Sequence, residues 1–264
     1  MAESTAYFND GAAYEQFMGR WSRGAGAVFL EWVAPTQGGR WLDVGCGTGV
    51  FTQLVVDTCA PSAVIGVDPT SVQIDHARRQ PIAQRADFQV ADAQSLPYPD
   101  NDFDIVVSAL VINFISDRAS ALAEMRRVTR GGGTVAAYVW DFIPERSPSG
   151  PLRAGLRQIG IEPPGAPGAD SSSLDALNRL FEEAGFEDIA TRTIDVTMTF
   201  PHFDDLWKAQ TPVFNPMTKL IAALPEVDRA QLIDRVRSMV PAAADGSVSY
   251  SACANAVKGR VPSR

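Results

Sequence analysis

Glycine at every second position, directly after a short apolar run, is the pattern in this chain best suited to chemistry. It lies in Trp41-Leu42-Asp43-Val44-Gly45-Cys46-Gly47-Thr48-Gly49. Glycine admits positive φ and lets a ligand approach the backbone closely, because no Cβ intervenes. The bend leads into a helix, whose first N–H groups are expected to face the ligand. The spacing is G-x-G-x-G, with Val50 where a dinucleotide fingerprint requires its third glycine. That departure argues against a pyrophosphate ligand. Asp68 ends the next apolar run, about 20 residues on, where a carboxylate can accept from ribose hydroxyls. Its other reading is a helix cap made with Pro69, Thr70 and Ser71. A third run ends at Val90-Ala91-Asp92-Ala93, and Asp92 there suits either an adenine amino group or an ordinary loop.

Other reactive residues are few. The two histidines, His76 and His202, each read as structural. Cys46, Cys59 and Cys253 have neither zinc spacing nor a disulfide pattern, so no metal site is expected. Asp141, beside Tyr138 and Trp140 at the end of a fifth apolar run, is the candidate catalytic carboxylate facing a substrate.

These residues need a frame that ends several strands at one edge. Apolar runs at 41–44, 63–67, 87–90, 104–107 and 134–138 read as strands buried on both faces. Helical patterns fall between them. In 117–129, Ala121, Leu122, Met125 and Val128 make one stripe, Arg126, Arg127 and Arg130 suit the negative helix end, and Gly131 supplies a left-handed stop. Such alternation predicts a doubly wound α/β fold, a parallel sheet with helices on both faces. Residues 144–170 are Pro- and Gly-rich and read as a loop enclosing a helix near 152–159. The next helix is capped by Ser171 or Ser172, lined by Leu177, Leu180 and Phe181, and ended by Gly185. Strands follow at 189–199 and 247–257, and between them 217–224 and 227–239 read as helices. The chain thus divides into an entry segment 1–34, a core 35–141, a loop 142–170, a core continuation 171–200, a helical insertion 201–246, and a last strand and tail 247–264.

The formal net charge of -8 over 264 residues disfavours a groove for nucleic acid or a surface for anionic membranes. No apolar stretch approaches the roughly 20 residues that span a bilayer. No basic and apolar leader opens the sequence, and the unpaired cysteines suit a reducing cytoplasm.

Taken in order, the runs 42–49, 66–69 and 91–97, with 103–108 and 127–133, resemble the class I S-adenosylmethionine-dependent methyltransferases, and within them the group that includes the ubiquinone and menaquinone C-methyltransferases. The resemblance covers about 38–140 closely. It implies a Rossmann-like seven-stranded sheet whose last strand is antiparallel, with helical lid insertions, and S-adenosylmethionine as cofactor. It also implies that Gly45, Cys46 and Gly47 pass the cofactor's methionine part and that Asp43 helps hold its ammonium. Asp68 would bind the ribose, Pro69 and Gln73 would flank adenine, and Asp92 with Ala93 would read the adenine edge. Ser108 and Leu110 would line the methyl-transfer site. Asn113-Phe114 stands where relatives often carry a His pair, and Gln73 where Met is frequent. In the entry segment Arg23 or Arg20 would fork onto the cofactor carboxylate, with Tyr14, Met18 and Trp21 as cover.

The acceptor pocket is expected between the entry segment, 142–170 and 201–245. Phe142, Phe203, Trp207, Phe214 and Met217 either line it for a flat, apolar small molecule or bury one another as a cap. Two rivals remain. A nicotinamide-dependent oxidoreductase requires G-x-G-x-x-G and a Tyr-x-x-x-Lys or His set, and neither is present. A non-catalytic protein that binds S-adenosylmethionine would keep the fold without turnover.

Overall fold

The computed structural model describes residues 19–143, 145–212 and 216–263. Seven strands form one sheet: β1 (Arg40–Val44), β2 (Ala63–Asp68), β3 (Asp87–Val90), β4 (Phe103–Ala109), β5 (Thr129–Trp140), β6 (Glu187–Phe200) and β7 (Val248–Arg260). Their spatial order is β3-β2-β1-β4-β5-β7-β6. The pairs among β1 to β5 are parallel, and β7 runs antiparallel to both β5 and β6. The doubly wound sheet and its antiparallel last strand are therefore as expected. The order reverses between β1 and β4, which opens a crevice beyond their carboxyl ends.

Strand alternation sorts the core into two layers. On one face Trp41, Val64, Ile105 and Val107 meet helices α1 (Arg20–Val33), α2 (Val50–Thr58) and α3 (Ser71–Arg79). On the other, Leu42, Val44, Val106 and Val135 meet α4 (Arg118–Val128) and a later helix (Leu174–Glu183). Ala136, Ala254 and Ala256 keep the first face shallow beneath α1. Phe29 and Tyr138 meet there with centroids 4.6 Å apart and ring planes tilted by 40°.

Three local expectations are corrected. Helix α4 stops at Val128, because Thr129 already pairs with Phe103 in the sheet, and Gly132 rather than Gly131 takes positive φ. Neither Ser171 nor Ser172 caps the later helix. Ser171 accepts from Arg118, Ser172 donates to Ala169, and Ser173 accepts from the Ala176 N–H instead. The 201–246 region holds one helix more than expected, over Phe203–Gln210. It is short, and its two buried apolar residues, Phe203 and Leu206, make too brief a stripe to read as periodic.

In chain order the remaining helices are α5 (Gly150–Gln158), α6 (Leu174–Glu183), α7 (Phe203–Gln210), α8 (Pro216–Ala222) and α9 (Glu226–Met239). Leu152 and Leu156 of α5 join Leu232 and Val236 of α9 in the core. The segments carrying α5 and α7–α9 leave β5 and β6 at their carboxyl ends. The cap they form therefore shares an edge with the glycine bend.

Candidate active site

Asp43 sits on β1 and is only 1% exposed. Its Oδ2 accepts from Thr52 Oγ1 at 2.7 Å, one turn into α2. Its Oδ1 is buried and has no hydrogen-bond partner among the described residues. Burial pushes its pKa up to about 7, the Thr52 hydroxyl opposes this, and the nearby negative charge of Asp68 adds to it. A buried carboxylate with one open oxygen is a receptor for a cation.

The bend after β1 has positive φ at Gly45, Gly47 and Gly49. A Cβ at Gly45 would collide with Val111, so the segment after β4 lies against the bend. A Cβ at Gly47 would meet nothing within 4 Å, so this glycine borders open space. The amides of the bend itself are engaged within the protein. Gly45 and Cys46 N–H donate to the Val67 carbonyl at 2.7 and 2.9 Å, and Gly49 N–H donates to Cys46. Gly47 N–H donates to Asp68 Oδ2 at 3.1 Å. With those donors engaged, the bend offers shape and a gap rather than an amide cradle for pyrophosphate.

Asp68 also accepts from the Thr70 N–H at 2.9 Å, so it ties the bend to the end of β2. It is not the cap of α3, whose N-cap position is Thr70. Its pKa is raised, chiefly by burial against two opposing amide bonds. Beside it, the Cα register pairs Asp68 with Val90. Val90 and Val72 are 50% and 55% exposed, and Pro69 is exposed too. This apolar shelf next to Asp68 was not singled out from sequence, although exposed Val is its signal. Asp92 is exposed and accepts from the Gln94 N–H at 2.9 Å, whereas Ala93 and Gln73 are buried.

Several expectations change. Cys46 faces Gly66, and burial holds its thiol well above the usual range, so it packs rather than reacts. Ser108 is fully buried and alternates with Val106 toward the α4 face, so its hydroxyl does not face the cleft. Leu110 keeps its place beyond β4 and takes φ 62, a conformation uncommon away from glycine, held by its N–H to Tyr138 O at 2.8 Å. Asn113, the residue in place of a histidine, donates to Pro167 O at 2.9 Å and anchors the Pro- and Gly-rich loop. Asp141 is 3% exposed, and Arg146 grips its Oδ2 at 2.6 Å. With Arg146 on this oxygen, Asp141 ties down the loop after β5 rather than standing free toward a substrate.

Arg20 and Arg23 are exposed on α1. Trp21 is not a cover. It is buried edge-on against Trp140 and Tyr250, at centroid distances of 6.5 and 5.6 Å. Tyr14, Met18 and Phe214 lie outside the described residues. Phe203 and Met217 are buried within the cap, while Phe142 and Trp207 are half-buried. His76 pairs with Gln80, and His202 is exposed at the start of α7. Among the described residues no group of His, Cys, Asp or Glu is arranged to hold a metal. No helix among them is long and apolar enough to cross a membrane.

Comparison with known proteins agrees with this geometry. A methyltransferase-domain family profile matches residues 42–137. A demethylmenaquinone methyltransferase of Roseiflexus castenholzii is 30% identical over 189 residues, covering 65% of this chain and 78% of that protein. A ubiquinone/menaquinone biosynthesis C-methyltransferase of Geobacter sulfurreducens is 35% identical over 133 residues, covering 48% of this chain and 50% of that one. Among solved structures, the phosphoethanolamine N-methyltransferase 2 of Haemonchus contortus, in complex with phosphomonomethylethanolamine and S-adenosylhomocysteine, aligns with TM-score 0.56 at 19% identity, over 95% of this chain and 56% of that one. That likeness is one of fold.

Proposed function

Because this chain belongs to the class I S-adenosylmethionine-dependent methyltransferases, we propose that it methylates a flat, apolar small molecule held between the glycine bend and the cap. When bound, S-adenosylmethionine supplies a methyl group already activated on a sulfonium. The protein's own residues then have to bind, orient and exclude water.

The observation that carries the reading is the buried, unpartnered Asp43 Oδ1 on the strand that runs into the bend, where Gly47 borders open space. The carboxylate would take the cofactor ammonium, and the gap at Gly47 would admit its methionine chain. Asp68, with both oxygens already oriented by amides, would accept from the ribose hydroxyls. Val72, Val90 and Pro69 would flank adenine, and Asp92 and Ala93 would meet its edge. Arg23 is the candidate for the cofactor carboxylate. Leu110 and Val111 would form the wall behind the methyl group. The net charge of -8 favours a small acceptor over nucleic acid. Three buried free thiols suit a reducing compartment such as the cytoplasm.

Incubation with S-adenosylmethionine and a panel of flat phenolic and quinol acceptors tests the reading. Formation of S-adenosylhomocysteine with a methyl-shifted product supports it. Cofactor binding without turnover on any neutral acceptor would favour a non-catalytic binding protein.

A further inference from the structure

Trp140 is the last residue of β5 and only 5% exposed. Its indole N–H is buried and has no hydrogen-bond partner among the described residues. Buried donors without partners are rare in folded proteins, and each needs a reason. Trp41 has the same unpaired N–H, but it lies mid-sheet and wholly enclosed, beyond the reach of a ligand. Trp140 occupies the edge where the glycine bend opens.

Register fixes its place. Asp43 pairs with Val107, and Val107 with Ala136, so these form one row across the sheet. Alternation puts Trp140 on the same face as Ala136, four residues and so roughly 13 Å further toward the open edge. It therefore lies on the same face as Asp43 and beyond it, at the open edge that would receive the cofactor. The surroundings are apolar and aromatic. Trp21 stands edge-on to Trp140, Phe142 is half-buried, and Ile143 is 51% exposed. The nearest carboxylate in sequence, Asp141, is neutralised by Arg146. In the cap above, Gln210 donates to Pro148 O and leaves its own carbonyl oxygen buried and unpartnered.

We propose that the Trp140 indole N–H donates to a carbonyl oxygen of the methyl acceptor, and that the acceptor class is a neutral, flat molecule bearing such an oxygen. The inference rests on the methyltransferase reading and adds the group that selects the substrate. An apolar pocket with one fixed donor distinguishes a carbonyl compound from a hydrocarbon of the same outline.

The test uses the full chain loaded with S-adenosylhomocysteine, titrated with 2-acetylnaphthalene and with its oxygen-free isostere 2-isopropenylnaphthalene. The wild type should bind the ketone about tenfold more tightly. In Trp140→Phe that preference should shrink to about twofold or less, with S-adenosylhomocysteine affinity unchanged. The Trp140 indole ¹⁵N–H resonance should move with the ketone and not with the hydrocarbon. Equal affinities in the wild type, binding of neither probe, or a preference that survives Trp140→Phe would each overturn the proposal. So would a variant that changes only the melting temperature, the mark of an N–H resting on the Trp21 ring. The wild-type comparison stands alone should the variant fold poorly. Failure of S-adenosylhomocysteine itself to bind is a distinct result, which would remove the cofactor reading and this inference with it.

Discussion

The two edges of the one sheet are built differently. At the amino-terminal edge several charges are matched, although Arg40 Nε is buried without a partner among the described residues. Arg40 pairs with Asp102 at 3.2 Å and Arg130 with Asp104 at 2.8 Å. Lys258 donates to the Trp32 carbonyl at 2.7 Å, at the end of α1, and lies over the Trp32 ring. A cleft of about 360 Å³ opens there, and two of its three lining cations, Arg130 and Lys258, already have protein partners. At the carboxyl-terminal edge Asp43 and Trp140 keep unpartnered polar atoms in buried surroundings. A cavity alone does not mark a site. Unmet hydrogen-bonding capacity beside open space does, because a folded chain tolerates it only where something else completes it.

The sharpest way to break the comparison is Asp43→Asn. It should weaken S-adenosylhomocysteine binding by about 100-fold or more, since a buried charge-to-charge contact is lost. The same variant should be more stable without ligand. The Asp43 pKa is about 7 in the folded state against 3.8 for a free side chain. The folded protein thus holds the extra proton between those values, and stability falls as pH rises through that window. Above pH 7 the full penalty is present, on the order of a few kcal/mol. Melting curves at pH 5 and 8 should show the gain from Asp43→Asn growing with pH.

Next in size is Asp68→Ala, which removes both the ribose acceptor and the tie to Gly47. A loss of about tenfold to 100-fold in cofactor affinity by calorimetry is expected. Thr52→Val should act through Asp43. Without the hydroxyl the carboxyl pKa rises further, so the pH midpoint of cofactor binding should move upward from its wild-type position. The smallest effect belongs to the other edge. Lys258→Met should lower stability by about 1 kcal/mol or less and leave cofactor affinity unchanged. A marked loss of binding there would undo the distinction between the edges.

The parts legible in sequence are those set by local backbone chemistry. The glycine bend and Asp68 stand out by short spacings, and so do the strands buried on both faces, whereas Asp43 enters as a candidate only through the family resemblance. Thr52 was missed, although its place one turn into α2 determines how Asp43 is held. The engagement of Gly45 and Cys46 N–H was not foreseen either, because their acceptor, Val67 O, comes from the next strand. Asp141 looked free because its partner Arg146 lies in a loop without periodicity. Likewise, the unpaired N–H of Trp140 appears only once the sheet and cap have closed around it. Such facts depend on which distant groups arrive, and residue spacing does not encode them.

The most direct test of the site is calorimetric titration with S-adenosylhomocysteine at pH 6 and pH 8, each in two buffers of different ionisation heat. Binding should release close to one proton at pH 6, as the ligand ammonium forces Asp43 to ionise, and far less at pH 8. Binding without proton release at pH 6, or no binding heat at either pH, would contradict the account.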